Sequence, residues 1–448
     1  MQARNFSILT YGCQMNKYDS EQIAGILSKQ SYSKTDDLSE ADLILLNTCT
    51  VREKADHKVL SKLGRLRELK EKNPNLIIGV CGCIPQVQGE AFLDRSRVVD
   101  FVFGTQNIHQ LSEMISEVKK GKRVARIEKE PSEALDFSGD ALLRESGYQA
   151  WVSIMTGCDN FCTYCIVPYT RGRERSREPD EIINEIKILA GKGYVEVTLL
   201  GQNVNSYGSD LSSPVHFPDL LERINEISGI ERIRFVTSHP KDLSDGLIEV
   251  MKDAKKVCEY LHLPLQSGAD KVLGRMNRGY TRELYLEKVE KLKSAVPGIS
   301  LTTDVIVGFP GESEEDFNET EKVMREVGFH FSFIFKYSPR PGTSAMSFTD
   351  TVAEAAIAER FNRLDALQKE MTLRHNEALV GKSVEVLVEG KSKTNPEMLM
   401  GRTRTNKIII FPGSENSKGA LLKVEITQAG LYSLYGRALT TKESNHAG

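Results

Sequence analysis

The chain has 448 residues, 40% of them hydrophobic and 27% charged, with eight cysteines and a formal net charge of −3. Those proportions suit two or three globular domains and exclude a disulfide scaffold, and the net charge alone gives no sign of nucleic acid. No apolar run approaches a membrane span and the first residues do not read as a secretory signal, so a cytoplasmic location without membrane contact is expected.

Residues 1–120 read as an α/β unit with a parallel sheet. Short apolar strands are expected at 5–10, 42–47, 76–81 and 101–103, with amphipathic helices at 19–30 and 52–72. The charged stretch 121–147, with Pro131 and no sustained period, reads as a linker. From 148 to about 350 apolar runs alternate regularly with helical segments. The runs are 149–155, 195–200, 233–237, 260–265, 301–307 and 331–337. Six β-α repeats favour an open (β/α)6 partial barrel whose chemistry gathers at the C-terminal ends of its strands. A helix over 352–379 leads into a small all-β barrel at 379–441. That tail holds nine Lys/Arg against five Asp/Glu, a basic end on an acidic body, and so a candidate grip for an anionic partner.

One motif outweighs the rest. Cys158, Cys162 and Cys165 form C-x3-C-x2-C just after the first barrel strand. Three thiolates can hold three corners of a cubane iron–sulfur cluster and leave the fourth iron open to a cofactor. The competing reading is a zinc knuckle or three unrelated core thiols, but zinc sites usually show four ligands and no second C-x2-C pair lies nearby. Phe161 and Tyr164 inside the loop are placed to shield a cluster or a cofactor. Gln202, Asn203, Ser238 and Gln266 at the following strand ends could hydrogen-bond a cofactor or substrate. Gly308-x-x-Gly311-Glu312 is no phosphate loop, because it lacks a lysine and opens an acidic helix start.

A second set lies in the N-terminal unit: Cys13, Cys49 and either Cys81 or Cys83, each just after an expected strand. Strand ends of a parallel sheet line one edge, so these distant thiols can meet and hold a second cluster. Cys258 stands alone and reads as core. Arg171, Arg173, Arg175 and Arg177 crowd the end of the triplet loop, where some could pair with RNA phosphates and others with internal acids or a cofactor carboxylate. Lys391, Lys393, Arg402 and Arg404 are the tail's candidates for RNA contact.

The triplet resembles the radical S-adenosylmethionine (SAM) superfamily. The whole chain resembles its methylthiotransferase family, with a three-cysteine N-terminal domain, a radical-SAM core and a C-terminal TRAM domain. The runs YGCQMN, NTCTVREKAD, HLPLQSG, NRGYT and VGFPGE look most like the branch that acts on N6-isopentenyladenosine at position 37 of tRNA. That resemblance implies two 4Fe-4S clusters, one on Cys158, Cys162 and Cys165 and one on Cys13, Cys49 and Cys83, with Cys81 outside the set. Pro85 stands where family members often have alanine. It further implies SAM as cofactor, near Tyr164, Gln202, Asn203, Ser238 and Gln266, an external electron donor, a sulfur source, and the anticodon loop of tRNA as partner. SAM would be used twice, once to methylate a sulfur on or near the N-terminal cluster and once to make the radical that takes the C2 hydrogen of adenine. No catalytic acid or base is assigned. Two other substrates fit the same chemistry, threonylcarbamoyladenosine in tRNA and an aspartate of a ribosomal protein. Those siblings typically carry Gly-Cys-Lys or Gly-Cys-Pro-Lys where this chain has Gly12-Cys13-Gln14. A non-catalytic iron–sulfur RNA-binding redox sensor is the alternative of another class.

Overall fold

The computed structural model describes residues 4–50, 53–128, 142–212 and 215–439. Its N-terminal sheet has six strands: β1 (Arg4–Tyr11), β2 (Tyr32–Lys34), β3 (Leu43–Thr48), β4 (Ile77–Gly82), β5 (Phe101–Phe103) and β6 (Val124–Arg126). They run in the order β2-β1-β3-β4-β5-β6, every neighbour parallel. The apolar runs of β3 and β4 suit strands buried on both faces. Leu43, Leu45, Ile77 and Phe101 pack against α1 (Gln14–Lys29) and its neighbours. Ile44, Leu46, Ile78 and Val80 point the other way, toward α2 (Glu53–Lys72). The chain steps from β1 out to β2 and back across to β3, so the order reverses between β1 and β3. In open parallel sheets ligands sit at that reversal, beyond the strands' C-terminal ends.

Strands β2 and β6 were not expected. Each is a three-residue edge, too short and too polar to stand out in the sequence. Because β6 lies inside 121–147, the stretch read as a linker begins as part of the sheet. Residues 129–141 of that stretch lie outside the described residues. Its last part is fastened down: Arg144 bridges Glu21 of α1 (3.5 Å) and Glu185 of the barrel (2.6 Å), all three side chains buried.

The central domain holds β7 (Gln149–Ser153), β8 (Met155–Thr156), β9 (Arg175–Ser176), β10 (Glu196–Leu200), β11 (Arg232–Phe235), β12 (Tyr260–His262), β13 (Ser300–Val307) and β14 (Phe331–Lys336). Two parallel ladders, β11-β10-β7 and β12-β13-β14, are joined by a bridge between Ile233 and Val257. The six parallel strands form the open (β/α)6 arc, and their outward residues meet the helices in one large core. The short antiparallel pair β8–β9 closes a loop around the cysteine triplet.

After the helix Glu354–Glu377, strands β15 (Ser383–Lys391), β16 (Met398–Thr403), β17 (Ile408–Pro412), β18 (Leu421–Ala429) and β19 (Leu434–Ala438) close a five-stranded barrel. It docks on the N-terminal ends of the central strands. Arg232 and Arg234 at the start of β11 donate to the carbonyls of Arg402 (2.9 Å), Thr403 (2.6 Å) and Arg404 (2.8 Å). Among the described residues no helix is long and apolar enough to cross a membrane.

Candidate functional site

The register of the N-terminal sheet sets Tyr11, Thr48 and Gly82 side by side, and the three loops leave from that row. Cys13 caps α1, Cys49 follows β3, and Cys83 opens α3 (Cys83–Gln88). The loops are held by two buried amides. Asn16 Nδ2 donates to Asn47 Oδ1 (3.0 Å) and to the Thr48 carbonyl (3.1 Å). Asn47 Nδ2 donates back to the Asn16 carbonyl (2.7 Å) and to Ser20 Oγ (3.0 Å). The glycines make room for this: a Cβ on Gly12 would lie 2.2 Å from Asn16 Oδ1, and one on Gly82, whose φ is +93°, 2.4 Å from the Thr48 carbonyl.

Sulfur meets sulfur at this edge. A hydrogen bond from Cys49 holds the Cys13 thiol down at about 6, with the Arg171 charge adding to it against burial. The same donor holds Cys83 at about 7, while Cys49 itself is pushed up. Cys49 thus keeps its proton while Cys13 and Cys83, from the two flanking loops, are shifted toward thiolate, the donor chemistry an iron–sulfur cluster requires. Cys13 is exposed, so the group is open on one side. Cys81 turns away into the core with Leu45, Phe101 and Phe103, where burial raises its thiol.

The triplet lies at the barrel mouth on a loop clamped by its surroundings. Thr163 N donates to the Met276 carbonyl (3.0 Å), and Asn277 Nδ2 to the carbonyls of Asn160 (3.1 Å) and Phe161 (3.2 Å). Cys158 accepts from Asn160 Nδ2 (3.4 Å) and Cys162 from Arg278 Nη1 (3.3 Å). Burial pushes the Cys158 thiol up and that of Cys165 up to about 12. Phe161, Thr237, Gln266 and Asn277 all have positive φ at this mouth, between +44° and +71°. Left-handed backbone at non-glycine residues, a β-branched threonine among them, is costly and concentrates where a ligand is gripped.

The remaining strand-end residues fall into two groups. Tyr164 sits on Phe309 (6.5 Å between centroids) beside Phe348 and Tyr337, and Gln202 accepts from the Gly157 amide, closing the triplet loop. By contrast Asn203 Oδ1, Ser238 Oγ, Gln266 Oε1 and His239 Nε2 are buried without a hydrogen-bond partner. His239 Nδ1 accepts from the Lys241 amide (3.2 Å) and burial drives its basicity down to about 2, so Nε2 carries the proton and is a free donor. A cluster of orphaned buried polar atoms is what a polar cofactor would satisfy, and it fits SAM at this mouth. His239, Arg278, Asn16 and Asn47 were missed in the sequence, although Asn16 and Asn47 stand beside the cysteine loops, His239 adjoins Ser238 at a strand end, and Arg278 lies in the run NRGYT. Among the described residues no group of three or more His, Cys, Asp or Glu side chains is spaced for a single metal ion.

The basic residues need correction. Arg171 is buried in a bidentate pair with Asp19 of α1 (2.6 and 3.2 Å), and the carbonyls of Thr170 and Arg171 accept from Thr105 and Gln106. Arg177 is buried on Glu185 (2.7 Å) and the Ser153 carbonyl. Arg404 forks onto Glu259 (2.7 and 2.8 Å) between domains, and Arg402 pairs with Glu389 (2.8 Å). All four guanidinium groups pair with carboxylates of the protein itself, Arg171 and Arg177 buried, Arg402 and Arg404 partly exposed. Arg173 is exposed over the Phe161 ring beside Asp159, Arg175 is half-buried, and Lys391 pairs at the surface with Glu415, leaving Lys393 exposed beside it. In the acidic turn Glu312 accepts from the Gly308 amide and pairs with buried Arg360 (2.7 Å).

Comparison with known proteins follows these divisions. Residues 5–104 match the uncharacterized protein family UPF0004, residues 152–324 the Radical SAM superfamily, and residues 377–439 the TRAM domain. A tRNA-2-methylthio-N(6)-dimethylallyladenosine synthase from Carboxydothermus hydrogenoformans is 50% identical over 439 residues, covering 97% of this chain and 99% of that protein. The chain belongs to that synthase family. A second member, from Desulforamulus reducens, is 51% identical over 425 residues, covering 94% of this chain and 93% of its own. Among solved structures, the radical SAM methyltransferase TsrM from Kitasatospora setae, with cobalamin and a [4Fe-4S] cluster bound, superposes with a TM-score of 0.58. It shares 15% identity over 77% of each chain, a likeness of fold alone. The cobalamin-dependent radical enzyme OxsB gives 0.52 at 14% identity, over 84% of this chain and 56% of its own. As a member of the synthase family, the chain is a sulfur-transferring enzyme that uses SAM and an iron–sulfur cluster.

Proposed function

We propose that the chain converts N6-isopentenyladenosine at position 37 of tRNA into its 2-methylthio derivative, using two 4Fe-4S clusters. Cys158, Cys162 and Cys165 hold one, and Cys13, Cys49 and Cys83 the other, each leaving one iron open. When bound, the clusters and SAM supply the radical that takes the C2 hydrogen and the methylthio group that replaces it; an external electron donor and a sulfur source complete the balance. The observation that carries this reading is the buried Arg171–Asp19 pair, which ties the triplet loop to the helix that Cys13 caps. A base drawn out of the anticodon loop can then lie between the two sets.

The chain's own residues position and exclude. α1 lays Met15 and Tyr18 against Trp151, Leu200 and Val236, closing that side of the mouth to water. Ser238, His239, Asn203 and Gln266 offer the hydrogen bonds that hold SAM. Arg173, Arg175 and Lys393 are the basic side chains left for RNA phosphates, helped by the tail barrel. Mass spectrometry of tRNA nucleosides from cells with and without the gene tests this. Loss of the 2-methylthio derivative with accumulation of N6-isopentenyladenosine is expected. Unchanged nucleosides would rule the reading out.

A further inference from the structure

Besides Arg144, whose side chain is buried on Glu21 and Glu185, six arginines among the described residues are buried: Arg171, Arg177, Arg232, Arg234, Arg278 and Arg360. Five of them meet a carboxylate, respectively Asp19, Glu185, Glu385, Glu196 and Glu312. Arg278 does not. Its Nη1 points at Cys162 Sγ (3.3 Å), its Nη2 at the Pro264 carbonyl (3.2 Å), and its Nε at Tyr280 Oη (3.2 Å). The guanidinium also lies 5.3 Å from the centre of the Tyr280 ring. Tyr280 is itself fixed by donating to the carbonyls of Pro264 and Leu265. The nearby His239 is neutral. The groups that act most strongly on Arg278 are Tyr164, Tyr280 and Cys162, none of them a carboxylic acid.

A buried guanidinium without a counter-charge is strongly unfavourable. The other five sites show how this fold meets that cost, and here sulfur takes the acid's place. A thiolate that also ligates iron supplies the missing negative charge. We propose that Arg278 is a positioning residue for the SAM-cleaving cluster, donating an N–H···S hydrogen bond to Cys162 and setting the cluster's reduction potential. This rests on the assignment of Cys158, Cys162 and Cys165 as its ligands. Hydrogen bonds to cluster sulfur, and positive charge beside it, favour the reduced and more negative form. Arg278 therefore eases the one-electron reduction on which SAM cleavage depends.

The test is an anaerobic redox titration followed by electron paramagnetic resonance. It uses the reconstituted full chain carrying Cys13→Ala, Cys49→Ala and Cys83→Ala, so that only the triplet contributes signal. Arg278→Gln should keep its iron and lower the ratio of reduced to oxidised cluster at least tenfold at fixed potential, about 59 mV for a one-electron couple. Arg278→Lys, which keeps the charge, should fall less. A Gln variant with an unchanged ratio would overturn the proposal. So would a Lys variant as depressed as the Gln variant. A second measurement needs no substitution at 278: with arginine labelled by nitrogen-15, pulsed resonance of the reduced cluster without SAM should show a nitrogen-15 coupling, and its absence overturns the hydrogen bond. If the parent protein with Arg278 intact shows no cluster signal at all, the ligand assignment itself fails, an outcome distinct from an unshifted potential.

Discussion

The two cysteine sets reach a similar end by opposite means. The barrel triplet spans eight residues of one loop and is shaped by backbone: carbonyls clamped by Asn277 and a left-handed Phe161. The N-terminal trio is assembled from three loops spread over 71 residues, from 13 to 83, and is shaped by side chains, chiefly the Asn16–Asn47 amide pair. Burial pushes thiols of the triplet up, whereas Cys49 and Arg171 hold two thiols of the trio down. A local motif tolerates distant changes in the fold. A trio scattered along the chain exists only while the sheet edge does, so its cluster should be the first to be lost when packing is disturbed.

Changes that separate the two sets sharpen this contrast, the largest first. Cys83→Ala should abolish methylthiolation and remove roughly half the protein-bound iron while SAM cleavage persists. Cys81→Ala should keep the iron and cost only about 1 kcal/mol of core packing. Iron assays and 5′-deoxyadenosine chromatography read both outcomes, and the reverse pattern would exchange the two residues' roles. Arg171→Ala leaves Asp19 buried and unpaired, a loss of about 3–5 kcal/mol, part of it recovered in the double variant with Asp19→Ala. Urea unfolding followed on the N-terminal domain measures it. Asn47→Leu removes the bonds to Asn16 and Ser20 and leaves the Asn16 amide only the Thr48 carbonyl, at about 1–3 kcal/mol, and should lower iron at the trio only. Equal iron loss from both sets would break the comparison.

The smallest effect is a shift in reactivity. In cluster-free protein a thiol held at about 6 is mostly thiolate at pH 7, so Cys13 should alkylate readily there and slow as the pH falls below 6. Cys158, raised by burial, should need alkaline conditions. Peptide mass spectrometry after brief iodoacetamide treatment compares them, and coincident pH profiles would erase the distinction.

Legibility in the sequence follows the same divide. The C-x3-C-x2-C triplet is a local pattern and could be read directly. The parallel strands of the central domain were placed within a few residues because each is rich in apolar, aromatic or β-branched residues. The trio could be inferred only from where strands end, and choosing Cys83 over Cys81 there needed the resemblance. Its geometry appears only once the order β2-β1-β3-β4 brings those ends together. The arginines resisted for a different reason. Arg171, Arg177 and Arg404 look like a nucleic-acid surface in one dimension, yet their partners Asp19, Glu185 and Glu259 are 152, 8 and 145 residues away. Charge pairing across such separations has no signature along the chain. His239 and Arg278 were hidden because their roles depend on what they lack, an acceptor in one case and an acid in the other.

The docking of the tail barrel has a further consequence. Arg232 is fully buried and spends its donors on Glu385 and the Arg402 carbonyl, and Arg234 spends its own on Thr403 and Arg404. The tail is therefore no free-swinging tether but one jaw of a caliper, its gap to the mouth fixed by the length of the central strands. Deleting it would strip the acid from a buried arginine, so truncation would report on folding as much as on grip. A substrate held in such jaws is selected by the span between its stem and its reacting base, before any base is read.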